Sequence, residues 1–211
     1  MLKLYYSPGA CSLAPHILLE EIGQPYEAQL VSLKDGQQNT PEYRHINPHG
    51  RVPVLAVGGR FINENVAIQY YLATAFPEAQ LLPADVLETA RVLSFAAWLA
   101  GAVHACSVGS IWRGARFTDD ERAQESIAAK GKATLRAQFQ EIEARLGNAT
   151  FIAGSQFTIA DPYSFVFYRW GKRLGFDMAA DFPHWTRQAQ RVAARPATLR
   201  TCESEGIPLF G

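Results

Sequence analysis

The apolar run Leu2 to Tyr6 breaks at Ser7-Pro8-Gly9-Ala10-Cys11, after which apolar positions recur at Ala14, Leu18 and Ile22. A change of spacing across a Pro-Gly break predicts strand, turn and helix, with the helix running from about Ser12 to Ile22 and Gly23 as its stop. Alternation from Tyr26 to Leu33 predicts a second strand, and strand-helix-strand is a parallel crossover. Cys11 then stands where a helix begins. Free N–H groups and partial positive charge there can draw a thiol from about 8.5 into the range of roughly 3.5 to 7.5. Such a thiolate can attack, or hold a ligand's sulfur. The other reading is a buried cysteine packed as a small hydrophobe.

Beyond the crossover the chain turns polar, with Asp35-Gly36 as a turn and Pro41 able to open a short helix through Tyr43 to Ile46. Lys34, at the end of the second strand, either meets a ligand carboxylate or is solvated. Pro53 lies inside the strand-like run Arg51 to Val57, where a missing N–H confines it to an edge or a strand start. A cis Val52-Pro53 bond would leave the Val52 N–H and C=O free to pair with a peptide-like ligand, whereas a trans bond would be an ordinary edge proline. Gly58-Gly59 predicts a hairpin into Arg60-Phe61-Ile62-Asn63. Glu64-Asn65 then start a helix reaching about Phe76, where they either cap it or meet the ammonium and carboxylate of an amino-acid head group.

Pro77 to Asp85 reads as a linker, and everything after it is helical in pattern: a stripe from Leu87 to Val103, then Glu121 to Leu146, Ile159 to Leu174, Pro183 to Ala194 and Pro196 to Glu205. The expected fold class is therefore α/β plus all-α, with domains at residues 1–78 and 87–211. Thr158-Ile159-Ala160-Asp161 resembles a capping box with Asp in place of Glu. His104 is either a proton carrier near Cys11 or a satisfied histidine within a bundle. His16 is expected at the surface or as a cap, and Cys106 and Cys202 as structural. His45, His49 and His184 form no constellation, and the four tryptophans read as core or cleft lining.

Twenty basic and twenty acidic side chains give no field of one sign to draw nucleic acid or an anionic membrane, which favours a small-molecule partner. No window of about twenty residues reads as a membrane span and no leader is evident at the amino terminus, so a cytoplasmic protein is expected. Three widely spaced cysteines without CxxC or zinc spacing fit a reducing compartment and predict no metal.

Pro8-Gly9-Ala10-Cys11-Ser12-Leu13-Ala14, Asn47-Pro48-x-Gly50-x-Val52-Pro53-x-Leu55 and Glu64-x-x-Ala67-Ile68-x-x-Tyr71-Leu72 together resemble cytosolic glutathione transferases of the bacterial beta class. The resemblance extends over nearly the whole chain. It implies a thioredoxin-like first domain, a helical bundle and a homodimer. The implied activity is conjugation of glutathione, a co-substrate rather than a cofactor, to small hydrophobic electrophiles in detoxification. It further implies Glu64 and Asn65 for the γ-glutamyl head, Val52 after cis Pro53 for the cysteinyl main chain and Lys34 for the glycyl carboxylate. Cys11 and Ser12 would lie beside the thiol, with His104 assisting. Cys11-Ser12-Leu13-Ala14 keeps only the first cysteine of CxxC, which leaves a mixed disulfide with glutathione, and hence thiol-disulfide exchange, as an alternative. A third alternative is a ligand-holding protein without turnover. The chain departs from the class around His104, where the segment Trp98 to Arg113 is shorter and Ala100 replaces an amide.

Overall fold

In the computed structural model, which describes residues 1–211, β1 (Leu2–Tyr6) alternates buried Leu2, Leu4 and Tyr6 with partly exposed Lys3 and Tyr5. The turn after it leads into α1 (Leu13–Ile22), closed by Gly23 at φ 71°, whose N–H donates to the Leu19 carbonyl. β2 (Tyr26–Leu30) lies parallel to β1, with Leu4 opposite Ala28. It ends three residues before the expected Leu33. Ser32 accounts for this: its N–H donates to Gln37 Oε1 at 2.9 Å and its hydroxyl to Asp35 Oδ2 at 2.6 Å, a local alternative to the ladder.

α2 (Pro41–Ile46) is capped by Thr40. β3 (Val54–Val57) pairs antiparallel with β1 and, across Gly58-Gly59, with β4 (Arg60–Asn63), giving the order β2-β1-β3-β4. α3 (Asn65–Ala75) follows at once. This is the thioredoxin-like arrangement, and the Val52-Pro53 bond that enters β3 is cis.

The helical part begins with α4 (Val86–Trp112), capped by Asp85. α5 (Glu121–Leu146) carries Asp120 at its start and buries Gly131, Leu135, Phe139, Ile142 and Leu146, one face of a 3.6-residue period. α6 (Ala160–Arg173) is buried without a break from Ala160 to Gly171 and forms the centre of the bundle. Around it lie α7 (Met178–Asp181), which was not anticipated, α8 (Pro183–Ala193) and α9 (Pro196–Glu205). The expected capping box is present in altered form. Asp161 Oδ2 accepts from the Thr158 N–H at 2.8 Å, while Asp161 Oδ1 reaches sideways to the Ile152 N–H and the Gln188 amide.

α4 corrects the sequence reading in two respects. It is long and apolar enough to cross a membrane, contrary to the expectation that no window qualifies; Val92, Phe95, Ala96, Leu99, Val103 and Val108 are nevertheless buried within the bundle. It also changes winding: Leu99–Val108 is π-helical between α-helical ends. Isolated π turns are rare and gather at functional sites. Within this stretch Gly101, Ala100, Ala102 and Ala105 put no bulky side chain against the wider turn.

One hydrophobic cluster runs from Leu4 and Leu18 of the sheet domain to Phe139, Phe167 and Trp185 of the bundle, so the two parts share a core. Polar contacts reinforce the seam. His16, expected at the surface or as a cap, is fully buried, with Nδ1 2.8 Å from Glu205 Oε1, because α1 is covered by α6 and α9. Arg195 grips Glu21 with two N–H groups, and Arg200 pairs with Glu20 at 2.6 Å.

Candidate active site

Between the carboxyl end of the sheet and the bundle lies a cavity of about 670 Å³. One wall is the turn Ser7 to Cys11, the Arg51-Val52-Pro53 edge and Glu64-Asn65; the other is α4 from Ala100 to Trp112, Arg113 and Arg116 just beyond it, and Tyr163, Trp170 and Arg173 of α6. The turn is held in place from the bundle side. Gly9, at φ 66°, where glycine is favoured, donates its N–H to Glu205 Oε2 at 2.8 Å, and its carbonyl accepts from Trp170 Nε1 at 3.0 Å.

Cys11 lines the cavity, but its thiol differs from the expected thiolate. It stands in the turn two residues before α1, and its Sγ donates to the Val52 carbonyl at 3.5 Å. Burial pushes the thiol up to about 11, against smaller opposing effects of Asn65 and Arg113. A helix start lowers a thiol only where the charged form remains solvated or paired, and here desolvation is the larger effect. Ser12 requires a further correction. Its hydroxyl accepts from the Ser7 N–H at 3.1 Å and donates to the Ser7 carbonyl at 3.2 Å; fully buried, it clasps the turn and does not face the cavity.

The Val52 N–H pairs with no group of the chain, as an edge awaiting an extended ligand requires. Pro53 lies beside it in the cavity wall. Glu64 is exposed at the mouth of the cavity with φ 69°, a left-handed conformation costing on the order of 1–3 kcal/mol, and its side chain caps nothing. Asn65 is buried, and its side chain is already committed. It donates to the Cys11 carbonyl at 2.7 Å and accepts from Gln69, which leaves its backbone N–H at the start of α3 as the group open to a ligand anion. Lys34 is exposed on the loop after β2 and does not line the cavity, although Leu33 does.

His104 is brought to the cavity by the π-helical stretch, packed on Trp170 at 4.9 Å and Phe167 at 6.0 Å between ring centres. Burial first, then the charges of Arg113, Arg51 and Arg116, bring it down to about 4, so it is neutral at pH 7. Two features escaped the sequence reading. Tyr163 is fully buried in the cavity wall, and its hydroxyl has no partner in the chain; burial together with the nearby Cys11 and Glu64 keeps it protonated. Arg51, Arg113, Arg116 and Arg173 also line the cavity, and none forms an ion pair. The first lacks a sequence signal because tyrosines are common core residues. The second is scattered over 123 positions of chain that only folding brings together.

Comparison with known proteins is consistent from end to end. Residues 1–74 match the family model "Glutathione S-transferase, N-terminal domain" and residues 84–196 the model "Glutathione S-transferase, C-terminal domain". Glutathione S-transferase GstA of Escherichia coli O157:H7 is 32% identical over 209 residues, covering 98% of this chain and 100% of the relative. A solved glutathione transferase homologue from Sulfitobacter, with bound glutathione, superposes with a TM-score of 0.93 at 32% identity, covering 99% of each chain. A bacterial beta class glutathione S-transferase from Sphingomonas chungbukensis gives 0.84 at 31% identity, covering 98% of this chain and 100% of that one.

Proposed function

Since the chain belongs to the glutathione S-transferase family, we propose that it joins the sulfur of reduced glutathione to an electrophilic carbon in the cavity between its two domains, at residues 1–78 and 87–211. The observation that carries this reading is the set of unsatisfied groups on one wall: the Val52 N–H, the backbone N–H of Asn65 and the uncapped Glu64 carboxylate. These match an extended main chain, a carboxylate and an ammonium, as a γ-glutamyl tripeptide offers.

Glutathione then enters as a strand beside Val52-Pro53, with its γ-glutamyl end at Glu64 and Asn65. Its glycyl carboxylate meets Arg51, which borders Val52, and Lys34 serves only if its side chain folds inward over Leu33. Cys11, as a neutral thiol, exchanges its weak bond to Val52 for one donated to the ligand's sulfur. With Arg113 nearby, this favours the glutathione thiolate. His104, being neutral, contributes a hydrogen bond and not a charge. Loss of the thiol proton to solvent, formation of the carbon–sulfur bond and departure of the leaving group complete the transfer, with proximity supplying much of the rate.

Thiol-disulfide exchange through Cys11 requires the thiolate that burial opposes, so conjugation is the favoured reading. The three cysteines are all free, which supports a reducing, cytoplasmic setting; assembly as a homodimer and a role in detoxification are proposed from the family. Calorimetric titration with glutathione, followed by an assay with 1-chloro-2,4-dinitrobenzene, tests the assignment. Absence of both binding and conjugation sinks it. An adduct on Cys11 after treatment with oxidised glutathione, found by mass spectrometry and absent in Cys11→Ala, would restore exchange.

A further inference from the structure

Building on the transferase reading, we propose that the second substrate is an anionic aryl electrophile, a planar apolar body bearing a carboxylate, and not a neutral hydrophobic compound. The cavity is lined by four arginines, Arg51, Arg113, Arg116 and Arg173, and by one carboxylate, Glu64. That excess is local, because the chain as a whole carries no net charge. Elsewhere four arginines find acids: Arg91 with Glu88, Arg136 with Asp181, Arg195 with Glu21 and Arg200 with Glu20. Around the cavity none does.

Like charges gathered without a counter-ion repel each other. Burial, followed by the charges of Arg113 and Arg51, holds the Arg116 guanidinium below its ordinary value. Arg113 and Arg173 stand at the carboxyl ends of α4 and α6, where each offsets about half a charge of unpaired carbonyls. That role leaves Arg51 and Arg116 without an explanation. The glycyl carboxylate of glutathione can occupy Arg51, beside Val52, which leaves Arg116, next to Arg113 on the bundle side of the cavity, unaccounted for. The same wall carries an apolar corner: Trp112 and Trp170 meet edge to face at 5.2 Å, Arg173 lies over the Trp112 ring at 5.5 Å, and Ala100, Ala105 and Val108 leave room beside the indoles. An aryl ring against the tryptophans carries an anionic substituent to Arg113 and Arg116, and its reactive carbon to the sulfur at Cys11. Such a cleft also concentrates anionic substrates at its mouth.

A pair of probes separates charge from shape: 4-chloro-3,5-dinitrobenzoate and its methyl ester. In both, the glutathione thiol gives its proton to solvent, the sulfur bonds to the ring carbon, and chloride leaves with the electron pair of the broken bond; nothing is oxidised or reduced. Each kcat/KM is divided by the rate constant of the uncatalysed reaction, which removes the greater intrinsic reactivity of the ester. The benzoate is expected to be favoured over the ester by about five-fold or more, and less so as salt is raised. Arg116→Gln is expected to bring this ratio towards one, and Arg60→Gln, on the β4 hairpin away from the cavity, to leave it unchanged. Calorimetry on glutathione-saturated protein with unreactive 3,5-dinitrobenzoate and its methyl ester reads the same preference without turnover. Equal or stronger binding of the ester, together with a ratio near or below one, overturns the proposal while leaving the transferase reading intact. Tighter binding of the anion with no conjugation of either chloride probe supports the anion site and overturns the transferase reading instead.

Discussion

Cys11 and His104 line the same cavity, and burial moves both towards their neutral forms, the thiol up to about 11 and the imidazole down to about 4. For His104 the folded value lies below the ordinary 6.5, so between 6.5 and about 4 the unfolded chain binds more protons. Its contribution to stability is therefore complete above pH 6.5 and is lost as the pH falls towards 4. Asp161 acts in the opposite sense: its carboxyl, pushed up to about 6 by burial, favours the folded state below 3.8, and that preference is lost as the pH rises through 6. The difference in urea midpoint between wild type and His104→Gln isolates the histidine, and the variant is expected to lose less stability than wild type between pH 6.5 and 4. Tyr163 leads to a second expectation. A buried hydroxyl without a partner costs about 1–3 kcal/mol, which a bound ligand can recover. Tyr163→Phe should therefore leave the melting temperature of the free protein equal or higher and reduce the increase that glutathione produces. Residue types and spacing left Cys11, Val52, Pro53, Glu64, Asn65 and His104 each with a structural and a ligand-facing reading, and the family resemblance implied the second; all six line the cavity. Types and spacing gave no guide to which side-chain atoms would be spent on the backbone, as those of Ser12 and Asn65 are, or to the weight of desolvation at Cys11.

Element boundaries followed the punctuation of the sequence where it was strong: Gly23 ends α1 and Gly58-Gly59 joins β3 to β4 in the structure. The winding of α4 was not legible, since small apolar residues from Leu99 to Ala105 suit an α-helical or a π-helical turn alike. What decides it is tertiary, and the wider turn brings Ala100, His104, Val108 and Trp112 to one cavity. The far side of the same helix is fixed by a close approach to α5. A methyl at Gly131 would clash with Ser110 Oγ and lie 3.2 Å from the Ser107 carbonyl. Gly131→Ala gains about 1 kcal/mol of helix propensity but incurs about 1–3 kcal/mol of overpacking against the Ser110 hydroxyl, which its bond to the Ser107 carbonyl holds in place. A net loss of stability in urea is expected, partly recovered in the double variant with Ser110→Ala. If Gly131→Ala alone were more stable than wild type, α4 and α5 would have to be less tightly apposed than described.

Across the whole molecule, Glu205, near the end of the chain, is bonded to the loop and helix at its beginning. Its buried carboxylate holds the Gly9 N–H with one oxygen and His16 with the other. Glu205→Ala leaves both partners buried and unpaired, a loss of about 1–3 kcal/mol for each, and loosens the turn that carries Cys11, which Trp170 then holds alone at the Gly9 carbonyl. Guanidinium unfolding should show the lower stability, and glutathione titration a weaker site. Glu205→Gln, which preserves shape, should be milder in both. The anchoring of Gly9 by Trp170 and Glu205 also bears on any attempt to recombine relatives. A chimera that couples this sheet half to a foreign helical half inherits a usable thiol loop only if the donor supplies an indole and a carboxylate at matching positions, however well its own substrate pocket is built.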